Sequence, residues 1–182
     1  CAAGGHTRAA FGPIGGEVYD TPSIISDLDQ RGKLLGAVHF GVIGALTKGL
    51  LGEELTDIGR MKEAGALGLY QGPDIETIVL RRSLQYARPH GVPIFLRPGD
   101  ASLESQGAMH EGSVSTRIGL RGIPASSEVI GISRILALVR DTQCPVHISH
   151  VTTEHGVLLL DSAQREGLPV TASTPARNLL LT

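Results

Sequence analysis

An α/β fold organised around parallel strands is the architecture this sequence predicts, and three observations predict it. Six short β-rich runs recur along the chain, stretches of helical periodicity separate them, and one round of the alternation takes about 30 residues. No low-complexity linker divides the 182 residues, so one domain over 1–182 is expected.

Residues 7–11 supply the first strand. A helix over 21–33 follows, opening on Thr21-Pro22, a hydroxyl suited to capping free N–H groups and a proline whose fixed φ suits a first turn. Residues 37–43 form the next strand. A helix over 53–64 has Leu55, Ile58 and Met61 at helical spacing and stops at Gly65. Strand 67–70 leads to a helix over 75–87, ending ahead of Pro89 and Gly91. Strand 93–96 opens into a long polar loop, 97–123. The strongest helix spans 124–139, with Ile130, Ile132, Ile135, Leu136 and Val139 available to one face. Strand 146–149, a helix over 153–166 stopping at Gly167, and strand 169–172 complete the series. Two architectures accommodate it: an open doubly wound sheet, or part of an eight-stranded TIM-type α/β barrel, which takes about 250 residues when whole. The chain opens on Cys-Ala-Ala-Gly-Gly and closes on Leu-Leu-Leu-Thr. An internal piece of a longer barrel is therefore expected, whose open sheet edges missing segments or a partner would cover.

Composition narrows the function classes. Hydrophobic residues make up 41% of the chain and charged residues 19%, enough for a buried core. Sixteen Lys and Arg against eighteen Asp and Glu leave a net charge of −2 with no basic run, which argues against nucleic acid as a partner. Apolar runs are far shorter than the roughly 20 residues of a membrane span, so no membrane is expected. Cys1 and Cys144 form no CxxC and no disulfide framework, and a reducing, cytoplasmic compartment is the default.

The candidate chemistry lies at strand ends. His147 and His150 are three apart on one strand, so they point to opposite faces and cannot chelate one ion together. His150 stands at the strand's carboxyl end, where barrel enzymes place catalytic groups, with a buried hydrogen-bonded histidine as the plainer alternative. Arg97 offers a fixed cation that binds a carboxylate or, the preferred reading, pairs with Asp100. Glu111 reads as a loop-ordering carboxylate and Lys48 as a solvated loop lysine. Despite 24 glycines there is no GxGxxG or GxxxxGK[ST], and no Gly-x-Ser-x-Gly elbow.

Four segments resemble one family in order and spacing. Ile43-Gly44-Ala45-Leu46-Thr47-Lys48-Gly49-Leu50, continued by Gly52-Glu53-Glu54-Leu55, is similar to a third-strand segment of the dihydroorotases, cyclic amidohydrolases on an α/β barrel. Met109-His110-Glu111-Gly112 with Gly119-Leu120-Arg121-Gly122-Ile123-Pro124 resembles their long loop. Val146-His147-Ile148-Ser149-His150-Val151-Thr152-Thr153 resembles their zinc-ligand strand, and Gly167-Leu168-Pro169-Val170-Thr171-Ala172 the strand after it. The resemblance covers essentially the whole chain and implies barrel strands two to seven.

It also implies one or two zinc ions that activate water to open or close the amide ring of dihydroorotate. Residue by residue, only His150 matches a metal ligand. The paired histidines of the first strand would precede Cys1, and the last-strand aspartate would follow Thr182. The strand-four aspartate falls near Tyr70 or Gln71, the strand-five histidine on Arg97, a substrate-holding asparagine on Ile14, and a His-His pair on Arg177-Asn178. The resemblance thus implies a degenerate zinc site, like that of the metal-free dihydroorotase-like proteins that support assembly of some bacterial aspartate transcarbamoylases. Three readings stay open. The first is an impaired family member of pyrimidine biosynthesis with a scaffold role towards aspartate transcarbamoylase or within a homo-oligomer. The second is an active zinc amidohydrolase whose ligands are His150 and residues outside this chain, with His110, Asp100 or Asp74 as contributors and the substitutions reflecting an altered substrate. The third is a binding module in which Arg97 and Arg177 clamp a substrate carboxylate.

Overall fold

The computed structural model describes residues 2–13, 16–36 and 38–180. Ile14, Cys1 and Ala37 lie outside the described residues. The chain forms two compact units, Cys1–Gln71 with Ile75–Phe95, and Gly72–Asp74 with Leu96–Thr182.

The first unit contains β1 (Arg8–Phe11), α1 (Pro22–Leu35), β2 (His39–Ala45), α2 (Ile58–Glu63), β3 (Ala66–Gln71), α3 (Thr77–His90) and the start of β4 (Ile94–Leu96). The strands run β1-β2-β3-β4. Arg8 stands opposite His39 and Phe11 opposite Val42 in a parallel ladder, and β2 pairs with β3 across a one-residue slip after Val42. Parallel pairing requires a crossover between neighbours, and the amphipathic helices supply it. Ile25, Leu46, Ile58, Met61, Leu69, Leu80 and Leu84 are buried between helices and strands. Each such side chain contributes about 1.5–3 kcal/mol.

The helix expected over 53–64 is shorter than its periodicity. Leu55 is drawn into an antiparallel bridge with Thr47, and the Thr56 hydroxyl donates to the Ala45 and Leu46 carbonyls. Asp57 then caps the helix by accepting from the Arg60 N–H at 3.0 Å. The next helix runs past its expected end. Pro89 sits in the last turn, where little ladder remains to break, and Gly91, at φ +61°, closes the helix by donating to Ala87 and Arg88. Thr21 precedes α1 without a side-chain cap; its hydroxyl lies 3.1 Å from that of Ser23.

The second unit contains the end of β4, α4 (Ala101–Glu104), β5 (Met109–His110), α5 (Ser113–Ile118), β6 (Gly122–Ile123), α6 (Ala125–Thr142), β7 (Val146–Ile148), α7 (Glu154–Arg165) and β8 (Val170–Ala172). A 3-10 turn spans Ala176–Leu179. The stretch expected as one loop, 97–123, therefore holds two short helices and a two-residue parallel ladder between β5 and β6. Such elements are too short to show a period. Helix α6 buries Ile132, Ile135, Leu136 and Val139 but leaves Ile130 46% exposed, because the buried stripe passes instead through Ser127 and Gly131. Residues 146–148 pair in parallel with 170–172, and the Ser149 N–H donates to the Leu96 carbonyl at 2.9 Å.

On β7, His147 turns away from the buried Val146 and Ile148. Its ring nitrogens lie 2.8 Å from the Thr171 hydroxyl and 2.9 Å from that of Ser173. Burial disfavours the imidazolium and holds His147 below its ordinary 6.5. The unfolded chain takes up that proton more readily, so stability present above pH 6.5 is lost as pH falls through 6.5 and on through the lower folded value. Thermal melts are expected to show Tm declining over this window, and His147→Gln to flatten part of the decline. A second test concerns the approach of α6 to the turn after β4. A Cβ on Gly131 would lie 2.1 Å from the Gly99 backbone nitrogen. Alanine favours a helix over glycine by about 1 kcal/mol, but forcing two backbones apart costs about 1–3 kcal/mol or more. Gly131→Ala is therefore expected to lower Tm, by about 2–4 °C per kcal/mol for a chain of this size; a raised Tm would show that the close approach is absent.

Candidate functional site

The carboxyl ends of β4 and β7 open into a cleft of about 710 Å³ within the second unit. Arg97 and Pro98 leave β4 at its floor, His150 leaves β7, and Arg177 and Asn178 stand on the 3-10 turn after β8. Glu104 of α4 and Met109 and His110 of β5 form one wall; Ser127, Glu128, Thr152 and Thr153 form another.

Two carboxylates face this cleft, and each is satisfied from within the chain. Glu104 takes the Arg97 guanidinium in both arms, Nη2 to Oε2 at 2.7 Å and Nη1 to Oε1 at 3.3 Å, and the Ser127 hydroxyl lies 3.2 Å from Oε1. The paired fork is the strong form of a guanidinium–carboxylate contact. Ser127 is buried, and its oxygen also accepts the Asp100 N–H at 2.9 Å. Glu128 accepts the N–H and hydroxyl of both Thr152 and Thr153 over 2.5–3.1 Å. These donors sit at the start of α7, where the helix dipole favours negative charge. Thr153 is the N-cap of α7 and accepts from the Gly156 N–H.

The partner expected for Arg97 was Asp100; the structure gives it Glu104 instead. Asp100 turns back to cap α4, accepting from the Ser102 and Leu103 N–H groups. The Ser102 hydroxyl, then the Leu103 N–H, hold its carboxyl below the ordinary 3.8. His150 has a left-handed backbone, φ +63°, an arrangement that costs a side-chain-bearing residue about 1–2 kcal/mol. It is exposed at the rim, where His110 also lies. His147 does not line the cleft. Neither do Asp100, Asp74 and Glu111. Lys48, in the first unit, pairs with Glu54 at 2.5 Å. Gln71 is buried in the first unit, accepting from the Thr47 hydroxyl at 2.7 Å and donating to the Leu50 carbonyl at 3.1 Å. Ile14 lies outside the described residues.

Glu104, Ser127 and Glu128 escaped the sequence reading. Glu128 carried a faint signal, an acidic group in the first turn of a strong helix. Glu104 carried none, because a four-residue helix leaves no pattern. Arg97 stands where the family resemblance expects a zinc-ligand histidine. A guanidinium has no lone pair to give a metal, and Glu104 is already held by one.

Comparison with known proteins gives the family. The model of the dihydro-orotase-like family matches residues 1–156. The dihydroorotase of Pelotomaculum thermopropionicum is 41% identical across all of this chain, which spans 43% of that relative. That of Solibacter usitatus is 39% identical over 95% of the chain and 41% of its own length. Among solved structures, the L-hydantoinase (dihydropyrimidinase) of Arthrobacter aurescens superposes on the whole chain with a TM-score of 0.76 at 21% identity, using 42% of its own length. This likeness gives the fold alone, part of an α/β barrel. With helix-linked parallel strands, a cleft at their carboxyl ends and a family match over most of its length, the chain belongs to the dihydroorotase-like family.

Proposed function

We propose that this chain is part of a dihydroorotase-family protein of pyrimidine biosynthesis that has lost zinc-dependent hydrolysis and acts as a scaffold for aspartate transcarbamoylase in the cytoplasm. The observation that carries the reading is Arg97, a permanent cation locked to Glu104 at the position where the family resemblance places a ligand histidine. A fixed positive charge there repels a divalent ion. The exposed apolar side chains Leu34 and Leu35, 86% and 77% accessible at the end of α1, suit a role carried by surface, including self-association. No helix among the described residues is long and apolar enough to cross a membrane.

An active hydrolase is the second reading, and the placement of His150 and His110 on one cleft is what favours it. A carboxylate ligand would meet Arg177, since the Arg97 fork is engaged by Glu104. One sample separates these readings. Elemental analysis and a dihydroorotate assay on the full-length protein are expected to find zinc far below one ion per chain and no turnover. Co-elution with aspartate transcarbamoylase on size exclusion is expected as well. Stoichiometric zinc with turnover, both abolished by His150→Ala, would overturn the proposal in favour of the hydrolase.

A further inference from the structure

The seat of Glu104 is fixed by the chain around it. Its side chain is only 17% exposed, and a Cβ on Gly99 would lie 2.2 Å from its Oε1, so the turn after β4 is pressed against the carboxylate. Gly131 of α6 allows the Gly99 backbone to come this close, and Ser127 of the same helix holds both the Asp100 N–H and the Glu104 carboxylate. The carboxylate so seated is largely, though not wholly, withdrawn from water. Partners must offset its lost hydration, because an unpaired carboxylate held mostly away from solvent is disfavoured, and here the main partner is a positive charge.

A cleft wall bearing a carboxylate, with imidazoles from His110 and His150 at the same opening, has the residue types that bind divalent metals. This chain answers the carboxylate differently. The Arg97 guanidinium lies in the plane of a two-armed contact, and its charge can be neither titrated away nor removed by a chelator. We infer that Arg97 fills, from within the chain, the place of a cation in this cleft, so that the turn after β4, α4 and α6 hold their arrangement with no metal. The inference rests on the function proposed above and deepens it, since it names the device by which a zinc-free site keeps its shape.

The test is chemical rescue. Wild-type Tm is expected to be unmoved by EDTA or by added zinc. Arg97→Ala, which removes the cation and leaves a space, is expected to lower Tm by several degrees, and millimolar methylguanidinium to restore at least half of that loss. The double variant Arg97→Ala with Glu104→Gln is expected to gain nothing from methylguanidinium. Should Arg97→Ala not fold, Arg97→Gln keeps an amide donor without the charge and is expected to lower Tm in the same direction. An Arg97→Ala protein as stable as the wild type, or rescue that persists without the Glu104 carboxylate, would overturn this inference alone. A wild-type Tm that falls on chelation would overturn it together with the zinc-free reading.

Discussion

The two-armed contact between Arg97 and Glu104 organises the cleft. Glu104 is pinned by the Gly99 turn and by Ser127, and the Arg97 fork satisfies it. The neighbouring segments follow from that arrangement: Asp100 is released to cap α4, Ser127 must be a small buried hydroxyl, and position 131 must carry no side chain. The second carboxylate, Glu128, is met by another device. Two N–H groups and two hydroxyls at the start of α7 surround it, so dipoles do there what a full charge does for Glu104. A Cβ on Gly156 would lie 2.7 Å from Glu128, and this contact too depends on a missing side chain.

Membership of the family and chemistry of the site are carried by different residues. The likeness to the dihydroorotases runs through segments whose side chains pack strands against helices, such as Leu46 of the first unit and Val146 and Ile148 of the second. Two positions where the resemblance expects chemistry are engaged in local structure. Gln71 spans Thr47 and Leu50 in a buried network, and Arg97 holds Glu104.

Strands β1, β2, β3, β4, β7 and β8 were legible in the sequence, since each is a short apolar run bounded by Gly, Pro or a helix start, whereas β5 and β6 were not. What escaped has a physical reason in each case. Residues 97–123 fold into pieces of two to six residues, below the length at which a period can be seen. Leu55 fits the helical spacing of Ile58 and Met61 but is captured by a bridge to Thr47. Ile130 fits the stripe of α6 and lies outside it, because contact with the Gly99 turn rotates the buried face towards Gly131. Arg97 was identified as a site residue with the wrong partner: three residues separate it from Asp100 and seven from Glu104, and only the turn at Gly99 brings the more distant carboxylate nearer.

Anomalous diffraction at the zinc edge, from crystals grown with excess zinc, probes the Arg97–Glu104 contact against a metal. The expected result is no anomalous peak in the cleft and Arg97 still in both arms of Glu104. A peak beside His150, with the Arg97 side chain swung away and Glu104 turned to the ion, would contradict it.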